Sequence, residues 1–217
     1  MKNLFILFLC WIFLFTPAAG LTQSIKTIEV TYLSPLEKAV VNEMNLARTS
    51  PTEYLSLLEQ FGKYYDGRLL KLPGETPTLT KEGTNALAGA IRFLRSLKPV
   101  SPLSPSKGMS LGAKDHIRDL RTSGASQHKG SDGSQTWDRV NRYGTWQKII
   151  GENISFGHNK ARNIVMTLII DDGVPNRGHR KNILNADFRV VGVACGDHPA
   201  YRTICVITFA GGYEEKD

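Results

Sequence analysis

Two histidines and a set of carboxylates carry the chemistry this chain can offer. They sit in SQHKG with His128, in GENIS with Glu152, and in LIIDDGVPNRGHRKNIL with Asp171, Asp172 and His179. Glycines and turn formers surround each one, a backbone context that presents side chains. Two imidazoles and two carboxylates in one cleft make a divalent-metal or proton-handling site. A buried polar network that only fixes loop geometry is the competing reading. His116, flanked by Asp115 and Asp119, reads as a surface or half-buried helix histidine. Arg177, Arg180 and Lys181 cluster beside His179 and could attract anionic surfaces. Arg92, Arg95 and Lys98 read as a solvated helix stripe.

These residues need elements to position them. Ser34-Pro35-Leu36-Glu37 is a strong helix start: a capping serine, a proline in the first turn and a glutamate at the box position. Leu36, Ala39, Val40, Met44 and Ala47 then mark one apolar face. On this helix Asn45 and Arg48 are expected to hydrogen-bond a neighbouring segment. A second short helix follows Pro51, capped by Thr49 or Ser50. Gly62 to Thr80, punctuated by glycine and proline, reads as a long surface loop. A helix from about Thr80 to Leu97 can turn Ala86, Ala90, Phe93, Leu94 and Leu97 inward. The next, from about Gly108 to Thr122, turns Met109, Ala113, Ile117 and Leu120 inward. His128 falls in a polar loop, followed by a short helix offering Trp137, Val140 and Tyr143 for packing. Gly151 to Ser155 reads as a strand whose alternation puts Glu152 and Ile154 on one face and Asn153 on the other. A helix from Asn159 to Ile170 ends at Asp171-Asp172-Gly173. Phe188–Ala194 and Thr203–Ala210, rich in Val, Ile and Phe, form an antiparallel pair.

The start of the chain speaks of export. One lysine, an apolar run from Leu4 to Phe15 and the small residues Pro17-Ala18-Ala19-Gly20 make residues 1–20 a signal peptide, with 21–33 as an arm. The apolar run is shorter than the roughly 20 residues that span a bilayer. No later segment supplies a membrane span. The remaining chain of about 200 residues suits one domain. The formal charge of +7 is modest, and no motif suggests nucleic acid. Outside the signal peptide only Cys195 and Cys205 remain, and an oxidising compartment favours their pairing across a hairpin. No HExxH helix and no nucleophile elbow is present.

Asn45-Leu46-Ala47-Arg48 in the first helix, the loop His128, Gly151-Glu152-Asn153-Ile154, and Gly178-His179-Arg180 ahead of an apolar stretch together resemble the CAP superfamily. That group comprises cysteine-rich secretory proteins, insect venom antigens and plant pathogenesis-related proteins. The resemblance runs from about Leu36 to Gly212, within a domain read as 34–217. It implies an α+β fold: a three-layer α/β/α sandwich with a central antiparallel sheet and an open cleft. It also implies a cleft tetrad of His128, Glu152, Asp171 and His179, with His128 and His179 as ligands for zinc or another divalent cation. Leu168 and Asp171 stand where relatives usually carry Trp and Glu, and Asp172 is a rival one residue away. The low disulfide content resembles compact bacterial members. The function implied is a secreted or extracytoplasmic protein, in the periplasm or at the cell surface, that binds without turnover. Its ligand would be a small apolar molecule, a lipid included, or an extracellular protein, held in a groove lined by Phe61–Tyr65 and Gly196–Tyr201. The alternative is a metal-assisted extracellular hydrolase of peptidase type using His128, Glu152, Asp171 and His179.

Overall fold

A computed structural model describes residues 30–216. The signal peptide read at 1–20, Cys10 and the arm up to residue 29 lie outside the described residues. Among those described, no helix is long and apolar enough to cross a membrane.

The first helix, α1 (Pro35–Thr49), begins as its sequence dictates. The Glu37 amide donates to Ser34 Oγ and the Ser34 amide to Glu37 Oε2, a complete capping box. Helix α2 (Pro51–Phe61) starts at Ser50, whose side chain makes no capping bond. Helices α3 (Thr84–Ser96), α4 (Lys107–Ser123), α5 (Thr136–Val140), α6 (Ala161–Ile170) and α7 (Gly178–Leu184) follow. The main sheet comprises β4 (Ser104–Pro105), β5 (Gly144–Phe156), β6 (Val190–His198) and β7 (Arg202–Glu215), in the order β4-β6-β7-β5. Its long strands are antiparallel, while β4 adds a two-residue parallel rung on β6. Cys195 and Cys205 face each other in the β6–β7 ladder and are joined by a disulfide.

Both faces of this sheet are covered, and the alternation of β6 and β7 shows how. Val191, Val193, Cys205, Ile207 and Phe209 bury into one core with residues of α1, α2, α3 and α6. Ala194, Ile204 and Val206 bury on the other face with Ala113, Ile117 and Leu120 of α4. Helix α4 lies so close that any side chain at Gly192 would overlap the Met109 backbone. There the Val193 amide donates to Ser110 Oγ, and Thr208 Oγ1 donates to the Met109 carbonyl. Helices therefore sandwich a largely antiparallel sheet, and β5 forms its outer edge.

Several expectations need correcting. Gly62 to Thr80 is not plain loop. A 3-10 turn (Gly62–Tyr64) leads to a small antiparallel sheet of β1 (Tyr65–Asp66), β2 (Leu69–Leu70) and β3 (Thr78–Leu79). Gly67, at φ 58°, makes the tight β1–β2 turn that the reading passed over. Phe93, read as inward, and Trp137, read as available for packing, are exposed, at 36% and 46%. Phe93 instead lies under the Arg180 guanidinium, 5.7 Å from its ring centre. Arg48 does what was expected. Fully buried, it donates to the carbonyls of Ser101, Ile183, Asn185 and Phe188, tying α1 to three distant segments.

Candidate functional site

The His128 half is built from α4, α5 and β5. His128 follows the left-handed Gly124 that ends α4, in the loop leading to α5. Its Nδ1 donates to Glu152 Oε1 at 2.9 Å. The Glu152 side chain is 3% exposed and the His128 side chain 54%. A buried carboxylate needs compensation, and Arg139 of α5 supplies it, donating through Nη2 to Glu152 Oε2 at 2.8 Å. The same guanidinium donates to the His128 carbonyl at 3.1 Å and the Ser134 carbonyl at 3.0 Å. Burial alone would raise the Glu152 carboxyl. The hydrogen bond from His128 and the charge of Arg139 outweigh it, holding the group below the ordinary glutamate range.

His116 belongs to this half, which corrects its reading as a surface or half-buried residue. It is fully buried. Its Nε2 donates to the Gln127 carbonyl at 2.9 Å and lies 3.9 Å from Glu152 Oε1. A carbonyl only accepts, so the proton sits on Nε2 and leaves Nδ1 as the acceptor. Burial lowers its proton affinity and keeps the ring neutral, with the Glu152 charge opposing. His116 and Arg139 thus grip consecutive peptide carbonyls, those of residues 127 and 128, from two helices.

The His179 half forms where α6 meets α7. Asp171 closes α6 in the left-handed conformation, φ 59° and ψ 46°. That bend returns its side chain onto the start of α7. Oδ2 accepts from the His179 and Arg180 amides at 2.9 and 3.2 Å. Oδ1 accepts from His179 Nδ1 at 2.7 Å. The carboxylate thus satisfies free amides of α7 while orienting the imidazole. Asp172 points elsewhere. It accepts from the amides of Lys81, Glu82 and Gly83, capping the approach to α3. Glu82 reaches back to pair with Arg177 and to accept from the Gly173 amide. Arg177 and that backbone bond together pull the Glu82 carboxyl down to about 2.

The expected basic cluster beside His179 dissolves. Arg177 is paired with Glu82, and Arg180 is buried against the last carbonyls of α6, those of Ile169 and Ile170. Lys181 alone of the three is exposed.

Adjacent residues of β5 join the two halves. Glu152 serves His128 on one face. Asn153, on the other, donates to the His179 carbonyl at 3.0 Å. Asn182 of α7 donates to Asn153 Oδ1 and the Glu152 carbonyl. Each imidazole therefore commits Nδ1 to a buried carboxylate and, among the described residues, keeps Nε2 uncommitted. Among the described residues, no group of three or more His, Cys, Asp and Glu side chains gathers as a metal cage.

The segments read as groove walls divide between two adjoining cavities. Tyr65 lines one of about 280 Å³, with Leu70, Leu79 and Ile170. Ala200 and Tyr201 line another of about 470 Å³. Thr78 and His158 border both. Phe61 is buried and serves the core.

The sequence reading missed His116 and Arg139 as site residues. For His116 a signal existed: it lies three residues from Ala113 and four from Leu120, on the stripe already read as inward. Arg139 gave none, because the one-turn α5 has no period that would point its side chain at Glu152 on β5.

A sequence model of the cysteine-rich secretory protein family matches residues 89–209. That stretch includes His116, His128, Arg139, Glu152, Asp171, His179 and both cysteines of the disulfide. An uncharacterized protein YkwD of Bacillus subtilis (strain 168) is 27% identical over 99 residues, 46% of this chain and 37% of the relative. The chain thus spans little more than a third of that relative's length. Among solved structures, an outer surface protein from Borrelia burgdorferi is similar over 54% of this chain and 80% of its own, with TM-score 0.44 and 17% identity. An extracellular protein containing a SCP domain from Bacillus anthracis str. Ames is similar over 57% of this chain and 37% of its own, with TM-score 0.41 and 23% identity.

Proposed function

Because the chain belongs to the cysteine-rich secretory protein family, we propose that it is an exported binding protein, and that His128 and His179 share a divalent cation such as zinc. The observation supporting this is the matched wiring of the two imidazoles. A histidine that gives Nδ1–H to a carboxylate has its other nitrogen oriented as a ligand. Glu152 and Asp171 fill that orienting role. Their oxygens are already taken by Arg139 and by the α7 amides, so they do not complete the coordination themselves. Two imidazoles with water fit an open site of modest affinity, whereas closed structural zinc sites have four protein ligands. A bound cation would offer a Lewis-acidic anchor to an incoming ligand.

Export accords with the signal-like start of the chain and with the disulfide, which suits an oxidising compartment. Binding is favoured over a serine-based hydrolysis, because Ser131, three residues from His128, is bonded to Asp119, and Ser155, three residues from Glu152, is buried in the sheet. The two adjoining cavities beyond the end of β5 provide room for a small molecule or a protruding element of an extracellular partner.

Calorimetric titration of chelator-treated protein with zinc tests the reading. His128→Ala and His179→Ala should each weaken binding at least about tenfold, or 1.4 kcal/mol. Wild-type affinity in both variants would reject the ligand pair. Turnover of peptide or ester substrates, abolished by either change in folded protein, would replace binding with hydrolysis.

A further inference from the structure

We infer that the larger cavity is a second ligand site, separate from the two histidine pairs, and that it takes an acidic saccharide unit. Its volume of about 470 Å³ lies within the usual range for small-molecule sites. Phe156, on its wall, is four residues beyond Glu152 on the same strand, about 13 Å away. The site stands independently of any cation between His128 and His179.

The cavity is built around a buried charge. The Glu75 side chain is 5% exposed, although it sits in the irregular segment between β2 and β3. Its Oε2 accepts from His158 Nδ1 at 2.6 Å, and its Oε1 accepts from Asn163 Nδ2 at 2.7 Å. Thr203 Oγ1 fixes the His158 carbonyl at 3.0 Å. A buried carboxylate with both oxygens engaged holds the imidazole in one orientation and leaves Nε2 for a ligand. Arg202 also lines the cavity and makes no ion pair among the described residues. Both Glu75 oxygens are turned to His158 and Asn163, so the Arg202 guanidinium is the group left to attract an anion, and its fork suits a carboxylate.

The remaining lining decides the body of the ligand. Phe156 and Tyr201 are its only large apolar side chains, accompanied by Thr76, Thr78 and Asn159. The Tyr201 ring is braced by Phe156 and His198, at centroid distances of 4.9 and 5.1 Å, while the residue stays 45% exposed. A hydrocarbon chain would leave the hydroxyls and amide without partners, at a cost. A pyranose ring sets its C–H face on an aromatic ring and its hydroxyls on polar groups. A carboxylate on that ring answers Arg202.

Amide-resolved NMR titration of the exported protein with D-glucuronate tests this. The resonances of His158, Tyr201 and Arg202 should shift at millimolar sugar, and D-glucose should bind at least tenfold more weakly. Arg202 has φ 68°, a conformation glycine adopts freely, so Arg202→Gly removes the cation and keeps the turn. His158→Asn keeps a donor toward Glu75 and removes Nε2. Each variant should weaken binding at least tenfold with an unchanged melting temperature, and a chelator should change nothing. A hyaluronan tetrasaccharide that binds more tightly than the monomer assigns the site to a polymer, and equal binding assigns it to a free sugar acid. Absence of shifts at these residues, wild-type affinity in both variants, or an equal response to octanoate would overturn the assignment. Loss of binding on chelation would place the sugar at the histidine pairs instead.

Discussion

Arg139→Met puts the wiring of the His128 half to a quantitative test. The change keeps most of the aliphatic volume and removes the guanidinium that faces Glu152, His128 and Ser134. Removing one partner of a buried ion pair costs about 3–5 kcal/mol, because the other charge stays buried. Glu152 retains the bond from His128, so the low end applies, about 3 kcal/mol. For a domain of this size that corresponds to a fall of about 6–12 °C in melting temperature. Urea unfolding of the wild type, Arg139→Met, Glu152→Gln and the double variant forms the cycle. Glu152→Gln should rescue Arg139→Met by at least about 1 kcal/mol, since it removes the stranded charge. The pH dependence should also shift. In the wild type the Glu152 carboxyl is held low, so its contribution is present above the ordinary glutamate value and lost as pH falls through the depressed one. Without Arg139 that downward pull weakens, so the acid loss should move to higher pH and shrink. A loss under about 1 kcal/mol, or additivity within 0.5 kcal/mol, would refute the claim that Arg139 compensates Glu152.

Three further outcomes follow from the same geometry. His116→Leu should accelerate amide hydrogen exchange across residues 124–134 and weaken zinc binding, whereas His116→Gln, which keeps a donor toward the Gln127 carbonyl, should restore both. Asp172→Ala should cost about 0.5–2 kcal/mol by uncapping the approach to α3 and leave zinc affinity unchanged; weakened zinc binding would show that Asp172 shares the role given to Asp171. Glu82, held near 2 by Arg177 and Gly173 against an ordinary value near 4.5, should stabilise the fold above the ordinary value and stop doing so as pH falls toward 2. Glu82→Gln and wild type should therefore differ in urea midpoint at neutral pH and converge at the acid end.

Local signals in the sequence were reliable where the relevant partners lie within a few residues. The Ser34–Glu37 box, the alternation that separates Glu152 from Asn153, and the opposed cysteines all depend on near neighbours or on strand period. The Asp171–Asp172 choice was not legible, because it turns on one left-handed backbone conformation and on amides of Lys81, Glu82 and Gly83, some 90 positions away. Arg139 was opaque for another reason: its carboxylate lies only 13 residues on, but a one-turn helix carries no period that fixes which face meets β5. Phe93 shows a different failure: helical period placed it facing the core, whereas its ring is exposed to solvent on one side and covered by the Arg180 guanidinium. The Glu75–His158 pair joins an irregular segment to the end of β5, and no periodicity spans that distance.

The arginine of α1 has a consequence for the order of assembly. Its acceptors lie at residues 101, 183, 185 and 188, so a chain emerging from its N-terminus cannot seat this helix until nearly all of it has appeared. Docking α1 earlier would strand a guanidinium in apolar surroundings. The bonds that fix α1 therefore span most of the domain, and no shorter N-terminal piece contains all of their acceptors.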